Sequence, residues 1–226
     1  MGKLTRGRAR RLLSVLLAML LLAAAMPQPG AALAADVSIP CTGGVGDVAA
    51  LVAAIAAANG NGQSDTIRLG GTPAQPCTYT LTAPHNTTGG ANGLPTIRAD
   101  KGHRLTIVGN GATIRRAPEA RPFRLLYVEG GALTLRDLTL AGGVAVGGSG
   151  EGSGAGRTGG FGGAIFNAGQ LALEGVTVTA SEARGGDGAS RAARDSGGGG
   201  GGGAGLGGAI FNAATGSLTL VNSTLS

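Results

Sequence analysis

The chain has no tryptophan and only 2 tyrosines and 4 phenylalanines in 226 residues. That leaves no aromatic surface on which single-stranded nucleic acid could stack. Histidine is equally scarce at 2, and cysteine at 2. Neither histidine is spaced with a cysteine as zinc ligands are, so no metal site and no cofactor is predicted. Charge is sparse too, with 18 basic and 12 acidic residues. Five of the basic residues, Lys3, Arg6, Arg8, Arg10 and Arg11, stand in the first eleven positions. Beyond them 13 basic residues face 12 acidic ones, a net charge of +1. No basic cluster remains to track phosphates, which sets nucleic-acid partners aside.

Those five basic residues precede an apolar run from Leu12 to Met26, and Ala32-Leu33-Ala34 follows as a small-residue cleavage site. The three regions predict a secretory signal peptide over residues 1–34. A membrane anchor is the competing reading. Pro27 and Pro29 interrupt the run, which falls short of the roughly 20 apolar residues a spanning helix needs. After cleavage no transmembrane helix is expected, and the protein is placed outside the cell or on its surface. An oxidising compartment in turn favours a disulfide between Cys41 and Cys77. Two free thiols in a small apolar cap are the alternative.

What the chain has in abundance is glycine, 46 residues, and repetition. Gly162-Gly163-Ala164-Ile165-Phe166-Asn167-Ala168 recurs as Gly207-Gly208-Ala209-Ile210-Phe211-Asn212-Ala213. Leu171-Ala172-Leu173 with Val176-Thr177-Val178 recurs as Leu218-Thr219-Leu220 with Ser223-Thr224-Leu225, after a one-residue insertion around Thr215-Gly216. A weaker copy runs through Leu133-Thr134-Leu135 and Leu138-Thr139-Leu140, and Leu105-Thr106-Ile107 begins another. Apolar residues two apart, drawn from Leu, Ile, Val and Thr, describe short half-buried strands. Stacked in parallel, such repeats bury a continuous core. The fold class predicted is all-β, a right-handed parallel β-helix.

Stacking makes pairs of distant residues: Ile165 with Ile210, Phe166 with Phe211, Asn167 with Asn212, Thr139 with Thr177 and Thr224, Leu135 with Leu173 and Leu220. Asn167 and Asn212 are expected in the left-handed region just after a strand, as a ladder of structural turns. Arg136 falls beside Glu174, a surface ion pair worth about 0 to 1 kcal/mol.

Residues 35–82 read as an N-terminal capping segment. Asp47 caps a helix to about Ala58, with Val48, Leu51, Val52 and Ile55 on one face and Asn59-Gly60 as its stop. Backed by polar residues, this helix should cover the open end of the stack and block edge-to-edge association. Asp65–Leu69 and Thr78–Thr82 read as the first strands, and Pro84–Pro95 as a loop. Residues 83–226 read as the stacked coils. The sequence stops within a repeat, so a fragment of a longer protein, or a last coil covered by a partner, is expected.

Two glycine-rich insertions, Gly142–Gly163 and Gly185–Gly208, fall at the same point of successive repeats and hold too few apolar residues to fold independently. Gly185-Gly186-Asp187-Gly188 lacks the tandem copies of a calcium repeat. Gly159–Gly163 lacks the Lys-Ser/Thr ending of a phosphate-binding loop. The insertions read as surface spacers or contact regions.

The repeated GGAIFNA followed by LTLVNSTLS-like strand pairs resembles secreted bacterial parallel β-helix proteins with polymorphic-outer-membrane-protein-like repeats. Cys41-Thr42-Gly43-Gly44, Ala53-Ala54-Ile55-Ala56-Ala57-Ala58-Asn59, Asp65-Thr66-Ile67 and Cys77-Thr78-Tyr79-Thr80-Leu81-Thr82 are similar to the entry segment of such proteins, and so is Ile107-Val108-Gly109-Asn110-Gly111-Ala112-Thr113-Ile114. The resemblance implies a structural or adhesin-like surface protein, with glycans or cell-surface proteins as partners. The alternative it allows is a polysaccharide lyase or hydrolase of pectate-lyase-like fold. Catalysis would need converging carboxylates. Asp137 and Glu174 are offset by one position, which turns them to opposite faces. Asp100, Lys101, His103 and Arg104 read as a solvated turn.

Overall fold

The computed structural model describes residues 35–148, 160–188 and 202–226. Residues 1–34, predicted above as a signal peptide, and the middle of both glycine insertions lie outside the described residues. The described chain is mostly β-strand, arranged in long parallel sheets, with one helix, α1, at Val48–Ala58.

Six strands, Asp36–Ile39, Asp65–Leu69, Arg104–Val108, Ala132–Arg136, Gln170–Glu174 and Ser217–Val221, form one sheet in which every neighbour is parallel. A seven-stranded sheet takes Cys41–Thr42, Val45–Gly46, Thr78–Leu81, Thr113–Arg116, Thr139–Ala141, Thr177–Thr179 and Thr224–Leu225, parallel except for the first pair. Leu126–Val128, Ile165–Asn167 and Ile210–Asn212 form a three-stranded parallel sheet. From Leu126 onward the chain visits the three-, six- and seven-stranded sheets in that order, three times over.

Alternation decides which side chains go inside. Ile67, Ile107, Leu135, Leu173 and Leu220 form one file across the six-stranded sheet, and Tyr79, Ile114, Leu140, Val178 and Leu225 another across the seven-stranded sheet. Both files belong to the core over most of their length. On the outer side of the seven-stranded sheet Thr78, Thr113, Thr139, Thr177 and Thr224 stand in register. Their strands are spaced at about 4.8 Å, as in any sheet.

Register also measures the insertion between the last two repeats. Ile165 lies opposite Ile210, 45 positions on, whereas Gln170 lies opposite Ser217, 47 positions on. Two residues rather than one are therefore added around Thr215-Gly216, and the preceding strand keeps its pairing.

The asparagines differ from expectation. Asn167 closes its strand in extended conformation, fully buried. Left-handed residues stand instead at Gly142 and Ala180, following strands of the seven-stranded sheet, and at Asp137, Gly175 and Asn222, each directly after a strand of the six-stranded sheet. The turn ladder sits at that corner because the residue there reverses the chain between two sheets and so needs positive φ. Asn167 instead works by its amide. Its Nδ2 donates to Asn212 Oδ1 (2.6 Å) and to Ser217 O (2.9 Å), while its Oδ1 accepts from Gly169 N (3.1 Å).

Helix α1 begins at Asp47, whose Oδ1 accepts from Ala50 N at 2.9 Å, and ends at Asn59, whose N–H reaches Ile55 O. Leu51 and Ile55 are fully buried, and the helix packs on Asp36–Ile39, Asp65–Leu69 and Thr78–Leu81. Its outer face is not polar: Ala49, Ala53, Ala56 and Ala57 are exposed. Alanine favours the helix while exposing little apolar area per residue. Cys41 and Cys77 form the disulfide, with Cα atoms 6.3 Å apart. It joins the two ends of the segment that contains α1. The strand Asp36–Ile39 adds an edge beside Asp65–Leu69.

Candidate functional site

The repeat places an aromatic residue at the centre of each strand of the three-stranded sheet. Tyr127, Phe166 and Phe211 lie opposite one another, with ring centroids 4.9 and 5.4 Å apart and nearly parallel planes. Their flanking partners, Ile165 with Ile210 and Asn167 with Asn212, point the other way, with Ile165 and Asn167 buried. Phe161 meets Phe166 edge-on and tilts against Phe211. The first glycine of each heptapeptide explains the approach to this sheet: Gly162 and Gly207 have φ of +62° and +65°, and a Cβ on either would collide with the backbone of Ile165 or Ile210.

Beside the aromatic file lies a cleft of about 720 Å³, bounded by Gly89–Ala91, Pro122–Arg124, Tyr127, the strand Val144–Val146 and Phe161 with Phe166. Among the described residues its one charged lining residue is Arg124, only 4% exposed. The guanidinium donates from Nε to Phe161 O (3.1 Å) and Gly162 O (3.0 Å), and from Nη2 to Phe161 O (2.7 Å). From Nη1 it donates to Asn92 Oδ1 (2.8 Å) and Gly89 O (3.4 Å). It also lies 5.6 Å from the Tyr127 ring centre and 5.4 Å from that of Phe166. Each of these partners is neutral. Burial pushes its pKa down to about 10, still far above neutrality, so the cleft floor is cationic. Asn92, fully buried, gives its own Nδ2 to Asn86 Oδ1, Thr88 O and Gly90 O, which holds the Gly89–Ala91 wall in shape.

The acidic residues are dispersed. Glu174 pairs with Arg136 at 2.6 Å on the surface. Asp137 lines a separate shallow groove of about 380 Å³ with Asn110, Thr139 and Thr177. Asp100 opens a turn, its O accepting from His103 N, but its side chain is buried: its Oδ2 accepts from Gly62 N at 2.9 Å, tying the turn after α1 to the turn before Arg104–Val108. Lys101 and Gly102 make the exposed turn beyond it, both at positive φ. Among the described residues no three His, Cys, Asp or Glu side chains converge to hold a metal ion. Among them, too, no helix is long and apolar enough to cross a membrane.

Sequence reasoning reaches Phe166 and Phe211 but misses Tyr127 and Arg124. The signal is present as an aromatic at the same repeat position, with Tyr127 standing where the later copies have phenylalanine. Arg124 carries no such mark, because the partners of its guanidinium lie 32 to 38 residues away on either side. Compared with protein-family models, with curated proteins and with solved structures, the chain matches none.

Proposed function

We propose that the three parallel sheets wrap into a right-handed β-helix, and that the protein is an exported or surface-exposed rod of structural or adhesive role, akin to proteins with polymorphic-outer-membrane-protein-like repeats. The observation that carries this reading is the shared cyclic order. The chain passes three sheets in the same sequence, in register, with leucine above leucine and threonine above threonine. Such a body offers long flat faces, among them the outward threonine file, for contact with glycans or cell-surface proteins. Export is supported by the tripartite segment 1–34 and by the disulfide, which persists in oxidising compartments.

The test is an array of bacterial and plant polysaccharides presented to the purified protein with and without calcium, read for both retention and release of new reducing or unsaturated ends. Retention without cleavage is expected. Release of new ends would replace the adhesive reading with a polysaccharide-cleaving enzyme. Fractionation of producing cells checks export: the protein is expected outside the cytoplasm with residues 1–34 removed.

A further inference from the structure

The cleft beside the aromatic file has a physical character that the rod-like reading does not require. At about 720 Å³ it falls within the range of small-molecule sites, and its lining is largely apolar. Its charge is one-signed, because Arg124 is the only charged residue among the described lining and no carboxylate stands among the others. The acceptors around the guanidinium are backbone carbonyls and one amide oxygen. They satisfy hydrogens without cancelling the charge. A guanidinium has five N–H groups. The bonds above use Nε–H, both Nη1 hydrogens and one on Nη2, and the second Nη2 hydrogen has no acceptor among the described residues.

The rings add a second constraint. Phe166 has Tyr127 stacked on one face and Phe211 on the other. One face of Tyr127 is covered by Phe166, and its ring is also approached so closely by Gly89 that a Cβ there would come within 2.7 Å. The Arg124 guanidinium stands over the Tyr127 and Phe166 rings, 5.6 and 5.4 Å from their centres. The ring quadrupole attracts a cation placed there, so the rings hold the guanidinium at the cleft, and Phe161, Val144, Ala145 and Val146 add apolar lining.

We infer that this cleft binds a carboxylate borne on a six-membered ring with an apolar face, the anion toward Arg124 and the ring against the apolar lining that includes the Val144–Val146 strand. Two sources share that chemistry: a free aromatic acid, and a uronic acid unit of an acidic glycan. The inference rests on the lining of the cleft alone and stands whether or not the protein is exported.

Calorimetry on the full chain separates the outcomes. Benzoate and trigalacturonate are titrated, each beside a neutral counterpart, benzamide and a neutral trisaccharide. At least one acid is expected to bind, and its neutral counterpart about tenfold more weakly, the loss of one charge-assisted hydrogen bond. The acid that binds identifies the source. Val146 is 51% exposed at the rim, so Val146→Glu leaves the core intact and should weaken the acid by a further tenfold or so with unchanged thermal unfolding. Val146→Lys should not weaken it. Silence from both acids, equal affinity for acid and neutral counterpart, or indifference to Val146→Glu would each overturn the inference.

Discussion

Leu173 and Leu220 are partners in the six-stranded sheet, yet Leu173 is fully buried and Leu220 is 45% exposed. Val178 and Leu225 repeat the contrast in the seven-stranded sheet, at 0% and 42%. At the opposite end the equivalent file is closed: α1 lays Leu51 and Ile55 over the first strands, and Tyr79 fills the layer beneath with no exposure at all. The files are apolar or aromatic at both ends, Ile67 and Tyr79 at one and Leu220 and Leu225 at the other. Burial differs because a stacked layer owes its core to the layer above and the layer below, and the described residues supply both only for the inner ones. The closed end also carries what the other lacks among the described residues, namely a helix, a cross-link and a ring wedged against the backbone. Gly46 is small because the Tyr79 ring occupies the space its Cβ would take, and Tyr79 Oη accepts from Gly70 N at 2.9 Å.

The sharpest way to break this contrast is to open the closed end. Replacing Cys41 and Cys77 by serine should cost about 4 kcal/mol in denaturant unfolding, since the bridge spans 36 residues. Second in size, Leu173→Ala should destabilise by about 3 kcal/mol, as a large-to-small change in a packed core. Leu220→Ala should cost well under half of that. Equal losses at the two positions would show that Leu220 is covered in solution.

Tyr79→Phe should cost about 2 kcal/mol by stranding the Gly70 amide. Burial raises the Tyr79 pKa above its ordinary value of 10.0. The folded state therefore holds the proton where the unfolded state has lost it, so stability is complete below pH 10 and falls as pH rises beyond. The Phe variant should lose that alkaline component, measured as unfolding midpoint against pH. Smallest of the four, Asp47→Ala removes the helix cap and should cost about 1 kcal/mol, with hydrogen exchange accelerating in α1 and unchanged at Ala172.

Much of this architecture is legible in the sequence. Period-two leucines locate Ala132–Arg136, Gln170–Glu174 and Ser217–Val221, and the repeat sets their pairing, including Arg136 beside Glu174. Helix α1 shows itself in its cap and its stop. The strand Asp36–Ile39 does not, because its four residues carry no periodicity of their own and pair only with a strand 30 positions away. The left-handed corner lies one element later than the asparagine pattern suggests. An asparagine in sequence looks the same whether its backbone turns or its amide bridges layers, and only the register distinguishes Asn222 from Asn212. Arg124 escapes for a related reason. Arginine is seldom buried without a carboxylate, and nothing near it in sequence announces that Phe161, Gly162, Gly89 and Asn92 will surround it.

The glycine insertions leave and rejoin the sheets through short paired strands, Val144–Val146 with Glu182–Arg184 on one side and Gly160–Phe161 with Gly205–Leu206 on the other. Each neck is paired with the neck of the next layer in the register of the stack, 38 positions apart on one side and 45 on the other, as in the adjoining sheets. Doubling such a segment costs only about 0.6 kcal/mol in closure entropy. In evolutionary and engineering terms this corner is a graft point: foreign peptides inserted there would be displayed at one level per repeat, and the scaffold beneath would be free to conserve its leucines while its outward message changes.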